Sequence, residues 1–244
     1  MKKEALSMPL NPDRLHAEIE VLRAYISDRR WERMQTVLDQ RTRYITAVVE
    51  DIYQPHNGSA VLRSCDAFGI QDVHIIENRN RYQINPGVEL GTSQWLTMHR
   101  YTRPNSGDPT EATRACIASL RAAGYRIVAT TPHRDDVTPD ELPMESGPVA
   151  LLFGTEKEGL TDTALAAADE YLRIPMVGFV ESLNISVSAA ITLHSLGKRL
   201  RQHRTDAGVI PWQLPPQERE AILHGWLRHS VRHAERIIER RLGG

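Results

Sequence analysis

Residues 174–190 combine polar and small side chains in a way that suggests a ligand site. The segment starts as Ile-Pro-Met, continues through a loop with Gly, Glu and Ser, and ends as a small-residue helix opened by Asn184. Such a helix start has free backbone N–H groups, and short side chains such as Ser186 and Ser188 let another backbone approach closely. The pattern predicts a polar or charged ligand held against main-chain groups. An ordinary helix cap, the alternative, explains Asn184 but not the Pro, Gly and Ser of the loop.

A second polar motif lies upstream at residues 55–69, where Pro-His-Asn-Gly-Ser leads from a predicted strand into a helix. Asn57 is at the strand-to-helix switch, and Arg63 follows nearly two turns later among small and apolar residues. An Arg in such surroundings must find an anion or protrude into water. The plainer interpretation of Arg63 is an ion pair with Asp66. The plainer interpretation of His56 is an ordinary residue of the turn.

The third motif is Phe-Gly-Thr-Glu-Lys-Glu-Gly at residues 153–159, directly after a continuous apolar strand. Gly154 and Gly159 bracket its charged loop, and glycines permit a positive φ and the close approach of a ligand. An ordinary strand-to-helix turn with solvated charges is the alternative. The chain has neither a phosphate-binding loop signature nor the Gly-rich dinucleotide fingerprint, so a Rossmann cofactor site is not expected.

Apolar strands alternate with periodic helices along the chain, which favours a parallel α/β sheet covered on both faces. Strands are predicted at residues 44–51, 73–77, 96–101, 125–130, 149–153 and 171–174. Helices are predicted at residues 12–40 (with a second short helix at 31–38), 57–68, 109–123, 162–168, 184–204 and 216–242. Asn57 is expected to cap its helix and Gly69 to end it. Ligands of such sheets bind beyond the carboxyl ends of the strands, where all three motifs lie.

Charge is balanced overall but unevenly distributed. Lys and Arg number 30 against 31 Asp and Glu, yet residues 191–244 carry a net charge of +5 and residues 51–190 a net charge of −7. An anionic polymer would favour the basic tail, and a solvated helix face is the plainer alternative. Cys65 and Cys116 lack metal-ligand spacing, and we see neither a membrane span nor a signal peptide. A reduced, cytoplasmic chain without metal or membrane partner is therefore expected.

Taken in chain order, as residues 55–69, 153–159 and 174–190, the three motifs resemble those of the SPOUT class of RNA methyltransferases, specifically the SpoU/TrmH family of 2′-O-ribose methyltransferases. The family has an Asn and an Arg in its first motif, a Gly-x-Glu-x-x-Gly-like loop in its second and Ser-x-Asn in its third. The resemblance covers roughly residues 44–200. The matching residues here are Asn57 and Arg63, Gly154 and Glu156, and Ser182 and Asn184.

The resemblance implies an α/β fold with a parallel sheet and a deep C-terminal trefoil knot, flanked by N- and C-terminal helices. Residues 1–43 would be an N-terminal helical extension, residues 44–204 the SPOUT methyltransferase domain, and residues 205–244 a basic C-terminal extension. A homodimer packed partly through the knotted helix at residues 184–204 is also implied.

S-adenosylmethionine is the implied cofactor, bound in a bent shape by the knot loops, mostly through backbone groups. Its methyl group is already activated, so no metal is required. By position in the family pattern, the expected cofactor contacts are Thr130, Gly154, Ile174, Met176 and Leu183.

The resemblance also implies roles for the polar residues. Arg63 would lie beside the ribose 2′-OH, oriented by Asn57 and assisted by the substrate phosphate. Since a guanidinium normally stays protonated, the phosphate is an alternative acceptor of the proton. Glu156, Ser182 and Asn184 would shape the pocket and hold the reacting groups.

Arginines in the last predicted helix are expected to hold RNA. Arg228, Arg232 and Arg236 are spaced at i, i+4 and i+8, which places them on one face of a continuous helix, where they can contact phosphates. His229 and His233 share that spacing, but a zinc site needs more ligands.

Helices on both flanks are similar to those of family members that methylate the D-loop guanosine of tRNA. We therefore expect an S-adenosylmethionine-dependent tRNA ribose 2′-O-methyltransferase that acts on guanosine 18. One alternative target is rRNA or another tRNA position. Another alternative is a non-catalytic RNA-binding protein that keeps the knot, and the intact set of Asn57, Arg63, Glu156 and Asn184 argues against it.

Overall fold

The structure, a computed structural model, describes residues 11–83, 85–104, 107–134, 136–202, 204–205 and 208–243. The chain divides into two compact units, one comprising Met1–Arg41 and Gln213–Gly244 and the other Thr42–Trp212. The sequence suggested separate N- and C-terminal extensions, whereas their described helices pack together in a single unit.

Nine helices occur in the described residues, and several of them cover the two faces of the sheet. The helices are α1 Pro12–Arg23, α2 Asp28–Leu38, α3 Pro55–Ala67, α4 Pro86–Glu89, α5 Glu111–Ala122, α6 Asp162–Ala166, α7 Ile185–Gln202, α8 Pro216–Ser230 and α9 Ala234–Leu242. Short 3₁₀ turns lie at Thr92–Trp95 and Met144–Ser146. The helical unit contains α1, α2, α8 and α9, and the other unit contains the rest.

A six-stranded parallel sheet forms the centre of the larger unit, as predicted. The strands are β1 Ile45–Glu50, β2 Asp72–Glu77, β3 Thr97–Thr102, β4 Arg126–Thr130, β5 Val149–Phe153 and β6 Glu170–Leu172. Their order is β3-β2-β1-β5-β4-β6, and every neighbouring pair is parallel. A two-stranded antiparallel pair that the sequence did not predict joins β7 Arg204–Thr205 to β8 Gly208–Val209.

Both faces of the sheet are covered by apolar contacts, which explains why β1, β2 and β5 are buried at every residue. Ile45, Ala47 and Val49 of β1 belong to the cluster that includes residues of α3 and α7. Val48 faces the opposite way, into the cluster that includes residues of α5. This alternation follows from the period of two along a strand.

The start of α3 differs from the prediction. The helix begins at Pro55, and Gln54 rather than Asn57 occupies the capping position. Proline favours the first position of a helix because its φ is already helical and its missing N–H is not needed there. Asn57 therefore lies inside the first turn. The predicted end is confirmed, because Gly69 has φ 79° and the N–H of Ile70 donates to the carbonyl of Cys65 at 2.8 Å.

The helix predicted at residues 216–242 is interrupted. Ser230 ends α8, Val231 is extended, and His233 is left-handed with φ 61° before α9 begins. The break buries Val231 and Ala234, so apolar burial outweighs the continuity of the helix. The prediction that Arg228, Arg232 and Arg236 share one face of a single helix is therefore wrong.

Within the described ranges, none of the helices combines the length and the apolar composition that a membrane crossing requires.

Candidate active site

The three polar motifs lie at the carboxyl edge of neighbouring strands. Strands β1 and β5 are adjacent, with β2 and β3 continuing on one side and β4 and β6 on the other. A crevice is expected where the strand order reverses in this way, just beyond the carboxyl ends. Asn57 lies in the first turn of α3, which follows β1, the loop after β5 carries Glu156, and the segment after β6 carries Asn184.

Side chains from all three motifs meet at Glu156. Its Oε1 accepts a hydrogen bond from Asn57 Nδ2 at 2.8 Å and another from Asn184 Nδ2. Asn184 Nδ2 also donates to Asn57 Oδ1 at 3.3 Å. Hydrogen bonds to a charged acceptor are stronger than neutral ones, so the carboxylate fixes the orientation of both amides.

Asn184 caps helix α7 as predicted, and it does so without losing its contact with Glu156. Its Oδ1 accepts from the backbone N–H of Ser186 at 2.9 Å and from the hydroxyl of Ser186 at 2.6 Å. The carbonyl of Asn184 accepts from the N–H groups of Val187 and Ser188. The side-chain oxygen of Asn184 thus caps α7, and its side-chain nitrogen donates hydrogen bonds to Asn57 and Glu156.

The two glycines of the motif at residues 153–159 shape the loop that carries Glu156. Thr155 and Gly159 exchange two backbone hydrogen bonds of 2.9 and 3.0 Å, which close the loop into a tight turn. Gly159 has φ 69°, a value that L side chains rarely adopt. A Cβ on Gly154 would lie 2.1 Å from the carbonyl carbon of Gly159. One glycine therefore supplies the left-handed turn, and the other permits the close backbone contact.

A cavity of about 350 Å³ lies beside this turn. Its walls combine the apolar side chains of Phe153, Leu160 and Leu172 with polar groups such as Glu181 and His133. All five residues expected to contact the cofactor line it, together with two of the expected catalytic residues. They are Thr130, Gly154, Ile174, Met176 and Leu183, with Glu156 and Ser182.

Arg63 lies apart from the polar cluster. Its side chain is exposed on α3, and its Nη1 donates to the carbonyl of Val88 at 3.2 Å. Asn57, which was expected to orient Arg63, instead has described hydrogen bonds with Gln54, Glu156 and Asn184. Within the described residues, the structure brings together Asn57, Glu156 and Asn184 but not Arg63.

A second cavity, of about 400 Å³, shares the turn at residues 155–158 as part of its wall. Asn57 and Glu156 line it, together with Tyr53, Arg79 and Asn80. A hydrogen bond to the carboxylate of Glu158 holds the pKa of Arg79 above its usual value, and the carboxylate of Asp51 acts in the same direction. Arg79 is thus a permanent cation at this cavity.

Two carboxylates that the sequence analysis did not single out anchor the loops around the crevice. Asp51 is buried, and its Oδ1 accepts from the N–H groups of Asn78, Arg79 and Asn80 at 2.7, 2.8 and 3.3 Å. Glu50 is also buried and accepts from the N–H and the hydroxyl of Thr161. The sequence did contain a signal for these two residues, because a Glu-Asp pair ends an otherwise apolar strand. Buried carboxylates need hydrogen-bond donors as partners.

Comparisons with known proteins identify the family of this chain. The sequence model of the SpoU rRNA Methylase family matches residues 44–194, the part of the chain that carries all three motifs. This chain belongs to the SpoU methylase family. The match confirms the family resemblance that the motifs suggested.

Relatives of this SpoU methylase include two bacterial enzymes named tRNA (guanosine(18)-2′-O)-methyltransferase. The enzyme of Borreliella burgdorferi is 40% identical over 188 residues, which cover 77% of this chain and 82% of the relative. That of Escherichia coli K12 is 32% identical over 198 residues, which cover 80% of each chain. Both alignments extend over most of the two proteins.

Solved structures show the same fold. The A. aeolicus TrmH/SpoU tRNA modifying enzyme superposes with a TM-score of 0.69 at 25% identity, covering 84% of this chain and 98% of that one. The SpoU methyltransferase AviRb from Streptomyces viridochromogenes, solved in complex with AdoMet, has a TM-score of 0.55 at 22% identity. The match covers 68% of this chain and 64% of the AviRb chain. At that identity the likeness concerns the fold alone.

The three arginines that were expected to hold RNA differ in their surroundings. Arg228 donates to the carboxylate of Glu235, whereas Arg232 and Arg236 are exposed on either side of the helix break. His229 and His233 are likewise separated by this break. Among the residues that the structure describes, no three His, Cys, Asp or Glu side chains are grouped as a metal would require.

Proposed function

We propose that this protein is an S-adenosylmethionine-dependent tRNA ribose 2′-O-methyltransferase that acts on guanosine 18 of the D-loop. The observation that carries the proposal is the meeting of three motifs at Glu156, on the wall of a cavity lined by all five expected cofactor contacts. Curated relatives with this activity are 40% and 32% identical over most of the chain.

The first cavity suits S-adenosylmethionine in size and chemistry. Its volume of about 350 Å³ lies in the range of small-molecule sites. Phe153, Leu160 and Leu172 offer apolar surface to an adenine ring, and Thr131 and Glu181 offer polar groups to the charged end. When bound, the cofactor supplies a methyl group on a sulfonium centre, which needs no metal for activation.

The residues of this chain would position the ribose hydroxyl against that methyl group. Glu156 lines both cavities and holds the amides of Asn57 and Asn184 in one orientation. Ser182 would contribute its hydroxyl at the wall of the cofactor cavity. Correct alignment of two reactants can lower a barrier by about 7–11 kcal/mol at best.

Arg63 would act through the RNA. Its exposed guanidinium can exchange the carbonyl of Val88 for a substrate phosphate, because charged acceptors bind a guanidinium more strongly. Held in this way, Arg63 would stabilise the negative charge that develops on the 2′-oxygen. The phosphate would receive the proton, since a guanidinium does not release its own at ordinary pH.

We further infer a trefoil knot in the chain segment after the edge strand β6. Residues 173–184 leave β6, and α7 then packs against α3, which follows the central strand β1. This return from the edge to the centre supports the inference. An experimental chain trace in which this segment does not pass through a loop would refute it.

A homodimer that packs partly through α7 is also proposed. Val187 and Ile191 are exposed by 44% and 38%, and their i, i+4 spacing places them side by side on one face of the helix. Glutamate at both positions should convert a dimer into monomers in analytical ultracentrifugation. A wild-type protein that sediments as a monomer would exclude the dimer.

We also propose that RNA is contacted by Arg228, Arg232 and Arg236. A cytoplasmic location, where tRNA is found, is proposed as well. The exposure of Arg232 and Arg236 supports the RNA contact. The pairing of Arg228 with Glu235 suggests that Arg228 contributes less.

Nucleoside mass spectrometry of tRNA and rRNA from a deletion strain tests the target directly. Loss of 2′-O-methylguanosine at position 18 of tRNA is the expected result. Loss of a ribose methyl group from rRNA instead would favour the second candidate, to which the description of the matched family points. An unchanged methylation pattern in both RNAs would support a non-catalytic RNA-binding protein.

A further inference from the structure

The second cavity has the features of a nucleobase site, and the inference drawn from it rests on the proposed function. It shares Thr155, Glu156, Lys157, Glu158 and Ile185 with the first cavity, so the turn at residues 155–158 is part of the wall of both spaces. If the methyl donor lies on one side of this turn and the methyl acceptor on the other, both lie beside Glu156. The volume of about 400 Å³ is again that of a small-molecule site.

An aromatic ring lines this cavity and is largely free of protein contacts. Tyr53 is 78% exposed, although Asp51 and Ile52, which connect it to β1, are buried. An exposed tyrosine at the rim of a polar cavity offers a flat surface to a ring, and proteins that bind unpaired RNA stack bases on such side chains.

The loop at residues 78–80, which follows β2, is held in a fixed shape. Asp51 has φ 52°, an unusual value for a residue other than glycine, and it anchors three successive N–H groups of the loop after β2. The amide of Asn80 also donates to the carbonyl of Asp51 at 2.9 Å. Strain of this kind persists only where the surrounding contacts enforce it. The polar side of the cavity, with Arg79 and Asn80, is therefore preorganised.

We propose that the second cavity receives the base of the target nucleotide, which stacks on Tyr53 and faces Arg79 and Asn80 with its polar edge. Asp51 is a positioning residue, because it acts through the loop that it anchors. A base within a folded RNA must leave its stack before its ribose can reach an enclosed site, and a stacking surface on the protein compensates for that loss.

The test compares Tyr53→Ala with Tyr53→Phe and with Tyr25→Ala. Phenylalanine keeps the stacking surface without the hydroxyl, and Tyr25 is an exposed tyrosine of the helical unit that serves as a matched control. The single-turnover rate of methyl transfer is measured at saturating tRNA and cofactor. The Kd for S-adenosylmethionine and the melting temperature are measured for each variant. A parallel series uses tRNA with an abasic residue at the target position, which still carries the 2′-OH.

Loss of stacking should slow Tyr53→Ala by roughly 5- to 150-fold on intact tRNA, with the Kd for the cofactor unchanged. Tyr53→Phe and Tyr25→Ala should stay within about twofold of the wild type. On the abasic tRNA, the wild type should be slow and Tyr53→Ala no slower, since the contact is already missing.

Two results would overturn the assignment while leaving the proposed function intact. One is an active wild type with an equally active Tyr53→Ala. The other is the same loss in Tyr53→Ala on abasic as on intact tRNA. A wild-type protein that transfers no methyl group to tRNA would refute the proposed function, and the assignment would fail with it.

Discussion

Replacing Gly154 by alanine is the sharpest test of how the cofactor cavity is built. The added Cβ would lie 2.1 Å from the carbonyl carbon of Gly159 and 2.3 Å from both the oxygen of Gly159 and the nitrogen of Leu160. All three are backbone atoms, so no side chain can rotate away. Ordinary contacts start at 3.4 Å, and the turn that carries Glu156 must therefore move by roughly 1 Å or more.

The size of the effect follows from this displacement. Overpacking of this kind costs about 1–3 kcal/mol, which corresponds to a roughly 5- to 150-fold weaker Kd if the turn moves away from the bound cofactor. Isothermal titration with S-adenosylmethionine measures this Kd, and circular dichroism verifies that the variant is folded. Because Glu156 moves as well, the rate of methyl transfer should fall further than cofactor binding alone explains.

Gly178→Ala is the matched control. Gly178 lies in the segment after β6, and a Cβ added there would meet nothing within 4 Å. This variant should bind the cofactor like the wild type. A folded Gly154→Ala protein with a Kd within twofold of the wild type would show that the turn does not form the cofactor wall.

Three further predictions concern other parts of the molecule. Arg63→Ala should abolish methyl transfer while tRNA binding persists, and retained activity would remove Arg63 from the mechanism. Replacing Arg232 and Arg236 by alanine should lower the slope of log Kd against log salt by about 2, because two phosphate contacts are lost; an unchanged slope would exclude both from RNA contact. Burial lowers the pKa of His74 to about 4 from 6.5, with a smaller contribution from His99. The unfolded chain therefore takes up a proton first as the pH falls, and the free energy of unfolding should drop by up to about 3 kcal/mol between pH 6.5 and 4. His74→Phe should remove most of this drop in urea unfolding measurements, whereas an identical pH dependence in variant and wild type would contradict this account of His74.

The local pattern of the sequence determined the elements and the edge at which the site lies. Continuous apolar runs such as residues 149–153 became buried strands, and Gly69 ended a helix where its φ is positive. Each of these features depends on neighbours within a few residues, so periodicity and residue type are sufficient to predict it. The family pattern likewise pointed to five of the residues that line the first cavity.

Predictions from the local sequence pattern failed where packing against distant parts of the chain decides the structure. Arg228, Arg232 and Arg236 have the spacing of a helix face, but burial of Val231 and Ala234 outweighs that periodicity and breaks the helix. Such burial depends on packing against other helices, which spacing within one segment does not encode.

Side-chain partners at the site were decided only by the tertiary structure. Asn57 and Glu156 are 99 positions apart, and they meet because β1 and β5 are neighbours in the sheet. The sequence predicted that Asn57 caps its helix, whereas α3 starts at Pro55 and Asn57 donates a hydrogen bond to Glu156. Residue types determined which groups are available for chemistry. Strand order determined which of them touch, because hydrogen bonds require contact within about 3 Å and only the folded chain brings distant residues that close.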